Sequence, residues 1–156
     1  MQIQDLLEKH ENSKLREQIV EYRILTDLLL YAASIGKKLE ISRTEHDSFG
    51  YDAILKIENT VRYVQFKSRR KSGRNRIWDV HKSLLRDQNG TVILALIEYK
   101  EKDILLEYLV LDDTKRSKIL DSSPKRKRLN EYKCKVQKGD FIQMNDVADL
   151  LKALFA

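Results

Sequence analysis

Hydrophobic residues recur at helical spacing along the first quarter of the chain. Within residues 14–35, apolar side chains lie three, four or seven positions apart, which places them on one face of a helix. These side chains are Ile24, Leu25, Leu28, Tyr31, Ala32 and Ile35. Gly36 follows directly, and glycine is typical of the position after a helix C-terminus. The pattern predicts one long helix over residues 14–35 that packs on the core, with a shorter helix over residues 3–10 before it.

Five further segments have the residue pattern of strands. They are residues 38–43, 51–57, 61–67, 91–98 and 103–111. Most of them alternate polar and apolar residues, as half-buried strands do, and the second and third are joined by a tight turn at residues 58–60. The fourth is nearly all apolar, which is typical of a central strand covered on both faces. We expect the fifth to pair beside it across a turn at residues 100–102.

The remaining segments complete a single domain. The pattern predicts a helix over residues 77–86, an irregular or partly helical stretch over 112–128, a short strand over 132–136 and a closing amphipathic helix over 145–155. No repeat or linker divides the sequence. The predicted fold class is therefore α/β, one domain over residues 1–156 in which helices flank a mixed central sheet.

Positive charge is concentrated in two short stretches. The net charge is +6, and basic residues crowd into positions 67–76 and again into 125–128. Those of the first stretch are Lys67, Arg69, Arg70, Lys71, Arg74 and Arg76. A polyanion such as nucleic acid is the natural partner of such stretches, because neutralised phosphates release their counterions. The alternative is two solvated basic loops, and charge by itself does not choose between them.

Composition narrows the class of protein. With 156 residues and 42% hydrophobic content, the chain can bury a real core. No apolar run reaches the length of about 18 residues that a membrane span needs, so no membrane association is expected. The first residues lack the features of a signal peptide, and the single cysteine, Cys134, excludes an internal disulfide. These features predict a protein of a reducing compartment such as a bacterial or archaeal cytoplasm.

The hairpin that the second and third strands form gathers an acid, an amide and an ammonium group. Side chains alternate along a strand, so Gln65 and Lys67 share one face with Tyr63. Asp52 comes opposite or diagonal to them across the hairpin, within side-chain reach. Asp52, Gln65 and the main-chain carbonyl of Phe66 offer oxygen ligands to a hard divalent cation. Such a cation stabilises charge on a phosphodiester and activates a water, which Lys67 can orient or deprotonate.

Glu21 is the fourth member of this set. It precedes Leu25, Leu28 and Ala32 by four, seven and eleven residues, so it begins the buried face of the long helix with a carboxylate. A buried charge without a partner is unfavourable, which calls for a cation or for Lys67 beside it. The alternative is that Glu21 lies beyond the packed region, in water.

In this order the residues resemble a known nuclease motif. The residues that carry the resemblance are Glu21, Gly50, Tyr51, Asp52, Gln65, Phe66 and Lys67. They are similar to the PD-(D/E)XK motif in its D…QXK form, which occurs in Mrr-like restriction endonucleases, and archaeal Holliday-junction resolvases have a similar helix-borne glutamate. The resemblance covers about residues 21–98 in the family order of helix, strands, helix and strand. Tyr51 stands where that family has its proline, and Gln65 where it has its second acid.

The resemblance implies a restriction-endonuclease-like core that hydrolyses phosphodiester bonds, with DNA as the expected substrate. It implies that Glu21, Asp52 and Gln65 approach one or two Mg²⁺ or Mn²⁺ ions and that Lys67 is the catalytic lysine. The residues directly after Lys67 are expected to contact phosphates of the substrate. They are Ser68, Arg69, Arg70, Lys71, Arg74 and Arg76. A homodimer is an expected assembly, because two strand cuts need two sites.

Two other interpretations of the same residues stay open. An amide at Gln65 in place of an acid also suits a module of this fold that binds nucleic acid or a partner protein without hydrolysis. The four polar residues would otherwise be an ion-pair network in an ordinary α/β domain. Binding that falls steeply with salt, without cleavage under any metal, would favour the module.

Other residues with reactive or binding groups receive a structural interpretation. His10 and His81 lie on predicted helices and are expected to be structural. Trp78 is expected to fill the core rather than stack on a base, and Cys134 is expected to be inert. Three loop residues stand close enough before Asp52 to reach a metal, but we expect them to be solvated. They are Glu45, His46 and Asp47.

Overall fold

The computed structural model describes residues 2–44, 50–122 and 132–156, which form two sheets and five α-helices. The helices are α1 (Ile3–Leu7), α2 (Ser13–Ser34), α3 (Lys82–Arg86), α4 (Arg116–Asp121) and α5 (Val147–Phe155). The strands are β1 (Leu39–Arg43), β2 (Ala53–Ile57), β3 (Thr60–Arg70), β4 (Ile77–His81), β5 (Gly90–Tyr99), β6 (Ile104–Leu111), β7 (Lys133–Gln137) and β8 (Phe141–Gln143). Short 3-10 helices lie at His10–Asn12, Asp113–Lys115 and Lys138–Asp140.

Six strands form the central sheet in the order β1-β2-β3-β5-β6-β8. β3 and β5 run parallel, whereas the other neighbouring strands run antiparallel. A parallel pair needs a crossover connection, and the segment with β4 and α3 provides it. The predicted α/β class, with a mixed central sheet and flanking helices, is confirmed.

Hydrophobic side chains pack on both faces of the central sheet. α2 and α5 cover one face, the helix face, where Ile24, Leu28 and Leu150 are fully buried. The two-stranded sheet of β4 and β7 covers the other, the β4–β7 face, together with α3 and α4. β5 is buried from Gly90 to Ile97, because its side chains enter the two cores in turn. This confirms the predicted central strand.

The long helix and the first hairpin begin and end close to the predicted positions. α2 ends at Ser34, and Gly36 adopts a φ of +75°, which glycine accommodates without steric conflict. β2 and β3 meet through the two residues Glu58 and Asn59. Ile35 departs from the prediction, because it is 49% exposed rather than packed on the core. It follows the last helical residue, so the helical spacing no longer sets its direction.

The helix predicted over residues 77–86 is wrong in its first half. Residues Ile77–His81 form β4, and α3 begins only at Lys82. In β4, Trp78 and Val80 are buried while Ile77 and Asp79 are exposed, which is the two-residue period of a strand. β7 pairs with it and supplies the hydrogen-bond partners that a strand requires. The short strand predicted over 132–136 is thereby confirmed, whereas β8 is a strand that the pattern did not predict.

The stretch over residues 112–128 is partly helical as predicted, with a 3-10 helix at Asp113–Lys115 followed by α4 in its described part. The closing amphipathic helix is α5, which buries Leu150, Leu151 and Leu154. Across the described ranges, no helix combines the length and the apolar character that crossing a bilayer requires.

Candidate active site

A notch forms in the central sheet because β3 extends beyond the first residue of its antiparallel neighbour, β2. The ladder between the two strands starts at Ala53 opposite Val64, yet β3 continues to Arg70 alongside β5. Residues 65–70 therefore have no partner strand on the β2 side in the described part of the chain. We call this edge, together with Asp52 at its start, the β2 notch. Polar groups of an open sheet edge are available to a ligand.

Asp52 closes the near end of the β2 notch. Its backbone N–H donates to the carbonyl of Val64 at 2.8 Å, and its carboxylate Oδ2 accepts from the backbone N–H of Phe66 at 2.8 Å. The ladder ends at Ala53 opposite Val64, so Asp52 lies one residue beyond it, beside Gln65 and Phe66 of β3. Because the N–H and C=O of one strand residue point to the same edge, the carbonyl of Phe66 also faces the notch. Asp52 is thus held with its carboxylate in the plane of the sheet.

Glu21 reaches the same region from α2. Its side chain is only 15% exposed, at the start of the buried stripe that continues through Leu25 and Leu28. Burial raises the pKa of the Glu21 carboxyl above its usual value, and the nearby charge of Asp52 raises it further. The ion pair with Arg43, at 2.5 Å, opposes both effects. Two carboxylates therefore lie close enough to repel one another, an arrangement that a shared cation would stabilise.

Gln65 and Lys67 point to the β4–β7 face. They alternate with Val64 and Phe66, which belong to the core under the helices. Gln65 is 6% exposed, and its carbonyl oxygen Oε1 is buried without a hydrogen-bond partner among the described residues. A buried acceptor without a donor is unfavourable by about 1–3 kcal/mol. Lys67 is half-buried, and its ammonium makes no hydrogen bond or ion pair within the described ranges.

Arg43 is the residue of this region that the sequence did not single out. It ends β1 opposite Ala53, so alternation turns it towards α2 and Glu21. Its guanidinium carbon also lies 4.9 Å from the centre of the Tyr22 ring. The partner expected for the buried carboxylate was a cation or Lys67, and in the structure that partner is Arg43. The only signal in the sequence is that Arg43 follows Leu39 and Ile41 at two-residue spacing and so shares their face of β1.

The basic stretch after Lys67 does not form one surface. Lys71 pairs with Glu107 at 2.6 Å. Arg70 alternates to the helix face, whereas Arg69 lies on the β4–β7 face with its guanidinium 4.9 Å from the Trp78 ring. Burial lowers the pKa of Arg69, and nearby Arg76 lowers it further. Ser68 is half-buried in β3, and Arg74 is exposed in the segment before β4.

The structure places most of the residues that the sequence analysis set aside. Trp78 is only 8% exposed and fills the core of the β4–β7 face. His81 ends β4 rather than lying within a helix, and it packs against Gly50. His10 lies in the first 3-10 helix, and Cys134 is buried in β7. The loop residues Glu45, His46 and Asp47 and the basic block at 125–128 lie outside the described residues.

In the described part of the chain, no three His, Cys, Asp or Glu side chains converge as a metal site. The candidate site therefore holds two carboxylates, and its further oxygen donors are an amide and a main-chain carbonyl. Comparison with models of protein families, with curated proteins and with solved structures found no match.

Proposed function

We propose that this protein is a nuclease that hydrolyses phosphodiester bonds, with DNA as its substrate and Mg²⁺ or Mn²⁺ as its cofactor. One observation carries the proposal. Two acids that repel one another, Glu21 and Asp52, lie beside the β2 notch, and Gln65, which borders the notch from the β4–β7 face, has a buried Oε1 with no donor among the described residues. Both features are unfavourable in a purely structural network, and a divalent cation in the plane of the notch, reached from both faces of the sheet, would relieve them.

The donor set fits a hard cation. Mg²⁺ and Mn²⁺ prefer oxygen ligands, and they are commonly held by one or two carboxylates together with waters. Glu21 and Asp52 would supply the charged oxygens, and Gln65 with the Phe66 carbonyl the neutral ones. Asp52 is already held in place by the Phe66 N–H, which limits how far its carboxylate can turn. A pre-positioned ligand loses less freedom when the ion binds.

Lys67 and Arg43 would assist the bound ion in hydrolysing the phosphodiester. When bound, the ion would stabilise the negative charge of the transition state and lower the pKa of a coordinated water. Lys67 follows Gln65 by two residues on the same face, so its Cα lies about 6.7 Å further along the strand. From there Lys67 orients the attacking water or offsets charge on the phosphate. Arg43 holds the Glu21 carboxylate in place through its ion pair.

The direct test is cleavage of labelled DNA and RNA, single-stranded, duplex and branched, in Mg²⁺, Mn²⁺ and chelator. Lys67→Ala and Asp52→Ala should each lower the cleavage rate by roughly 10²–10⁴-fold, the contribution typical of a positioned acid–base group. Lys56→Ala is the matched control, because Lys56 is exposed on β2 at the end remote from the notch. Cleavage that survives both substitutions, with the domain folded, would refute the assignment.

A second function is favoured by the ion pair of Glu21 with Arg43, which already places a cation on one carboxylate. In that case the chain binds nucleic acid or a partner protein without hydrolysis. The same assay separates the two functions, because the module would bind DNA with a steep salt dependence and yield no products in any metal. We also propose a cytoplasmic location and a homodimer for the nuclease, which fractionation and light scattering would test.

A further inference from the structure

An open groove of about 550 Å³ lies on the β4–β7 face, between the start of β4 and the segment that leads into β8. Two cations, Arg76 and Lys138, and two amides, Gln137 and Gln143, line it. Ile77, which is 44% exposed, adds apolar surface. No carboxylate is among its lining residues in the described part of the chain. A groove with cations, neutral polar groups and an apolar wall suits an anionic ligand that also has apolar rings.

The groove lies on the same face of the sheet as Lys67. The register connects Lys67 to Leu94 on β5, Leu94 to Leu109 on β6, and Leu109 to Gln143 on β8. Neighbouring strands are about 4.8 Å apart, so Leu109 in the groove lies roughly 10 Å from Lys67. Leu94 and Leu109 are buried beneath the β4–β7 layer, so a flexible chain that joins Lys67 to the groove would run along the edge of that layer, where Arg69 and Arg76 lie.

Arg69 lies along this path. It follows Lys67 by two residues on β3, and its guanidinium is held against Trp78. Its Nε and Nη1 are buried and have no hydrogen-bond partner among the described residues. Trp78 in turn contacts Phe141, a lining residue of the groove, with ring centres 6.1 Å apart. Arg76 lies near enough to lower the pKa of Arg69, after the larger effect of burial, and neither arginine makes an ion pair within the described ranges.

We propose that this groove binds a single-stranded segment of nucleic acid next to the bond that is cleaved, with Arg69, Arg76 and Lys138 on its phosphates. The inference rests on the proposed function for its class of ligand and adds a substrate preference to it. A cavity of this volume admits a ligand of drug size, comparable to a nucleotide. A duplex is rigid and convex and cannot enter it, whereas a single strand exposes both its phosphates and its bases.

Binding in chelator tests the groove without requiring hydrolysis. The probes are a short fluorescent oligothymidylate and a hairpin duplex with the same number of phosphates, followed by anisotropy over a salt series. Arg76→Gln with Lys138→Gln should reduce the single-strand salt slope by about 1.4, at roughly 0.7 for each lost phosphate contact. The affinity for the single strand should fall by a larger factor than that for the duplex. The control, Lys14→Gln with Lys152→Gln, removes two exposed lysines of α2 and α5 and should change neither.

Trp78 gives an independent readout, because it is the only tryptophan of the chain. Oligothymidylate should change its emission, and Arg69→Lys should abolish that change, since a lysine keeps the charge but not the planar stacking group. Single-strand affinity unaffected by the groove variants, or an equal loss for both probes, would overturn the proposal. Groove-dependent binding by a protein that never cleaves DNA would sustain the groove and reject the nuclease. If the protein cleaves DNA while the groove variants bind the single strand normally, the nuclease is sustained and the groove proposal is rejected.

Discussion

Glu21→Gln should make the metal-free protein more stable at neutral pH, although it removes a residue of the candidate site. The pKa of the Glu21 carboxyl lies above its ordinary value of 4.5, chiefly because of burial and then because of Asp52. Its ionised form is therefore disfavoured in the folded state, and folding loses stability at any pH above the raised pKa. That loss disappears as the pH falls below 4.5, where the carboxyl is protonated in both states. Glutamine keeps an acceptor oxygen for Arg43 and removes the charge.

The expected gain is on the order of 1 kcal/mol at pH 7, the size of a charge interaction at a site that still has some solvent contact. For a chain of this length, 1 kcal/mol corresponds to about 2–4 °C in Tm. Glu17→Gln is the matched control, since Glu17 lies one turn earlier on α2 and is exposed. It should change stability by no more than about 0.5 kcal/mol.

With Mn²⁺ present, the unmodified chain should be more stable than Glu21→Gln. An ion at about 100 times its Kd stabilises the folded state by about 2.7 kcal/mol, and Glu21→Gln removes one of the two charged ligands that provide this gain. Thermal and urea unfolding at pH 7 and at pH 4, with and without Mn²⁺, measure all these effects. The reasoning fails if Glu21→Gln is less stable than the unmodified chain at pH 7 without metal. Glu21 is not a ligand if both proteins gain equally from Mn²⁺.

Three further predictions follow from particular contacts. Arg43→Gln should lower metal-free stability by about 0.5–1 kcal/mol, yet it should tighten Mn²⁺ binding about two- to fivefold. Titration calorimetry measures the affinity, and weaker binding would contradict the competition between Arg43 and the ion. Gly36→Ala should destabilise the fold by about 1–2 kcal/mol through its positive φ alone. Gly50→Ala should cost at least about 1 kcal/mol more, because its new Cβ would lie 2.4 Å from that of His81. Equal losses of stability in urea unfolding would exclude that clash. Leu28→Ala should cost about 2–5 kcal/mol, and Leu30→Ala, at a side chain 67% exposed, about 0.5 kcal/mol or less; similar costs would mean that α2 packs through a different face.

Much of the fold is predictable from the sequence, because the burial period of a helix or strand is a local property. The stripe of α2, the hairpin of β2 and β3 and the apolar run of β5 each lie within a few neighbouring residues. The hairpin register follows from its two-residue turn, and it brings Asp52, one residue before the ladder, beside Gln65 and Phe66. For the same reason the sequence predicts that Gln65 and Lys67 share a face, although not that this face lies opposite α2.

Only the tertiary structure decides the features that depend on partners distant in the sequence. β4 is a strand because β7 pairs with it, with Asp79 and Lys135 in contact 56 residues apart. Arg43, rather than Lys67, pairs with Glu21 because β1 ends beside α2. The basic stretch divides between two faces since β3 continues through Arg70, and Lys138 joins Arg76 because β8 closes the sheet. Local sequence sets the direction of each side chain, and packing across the chain determines what that side chain meets.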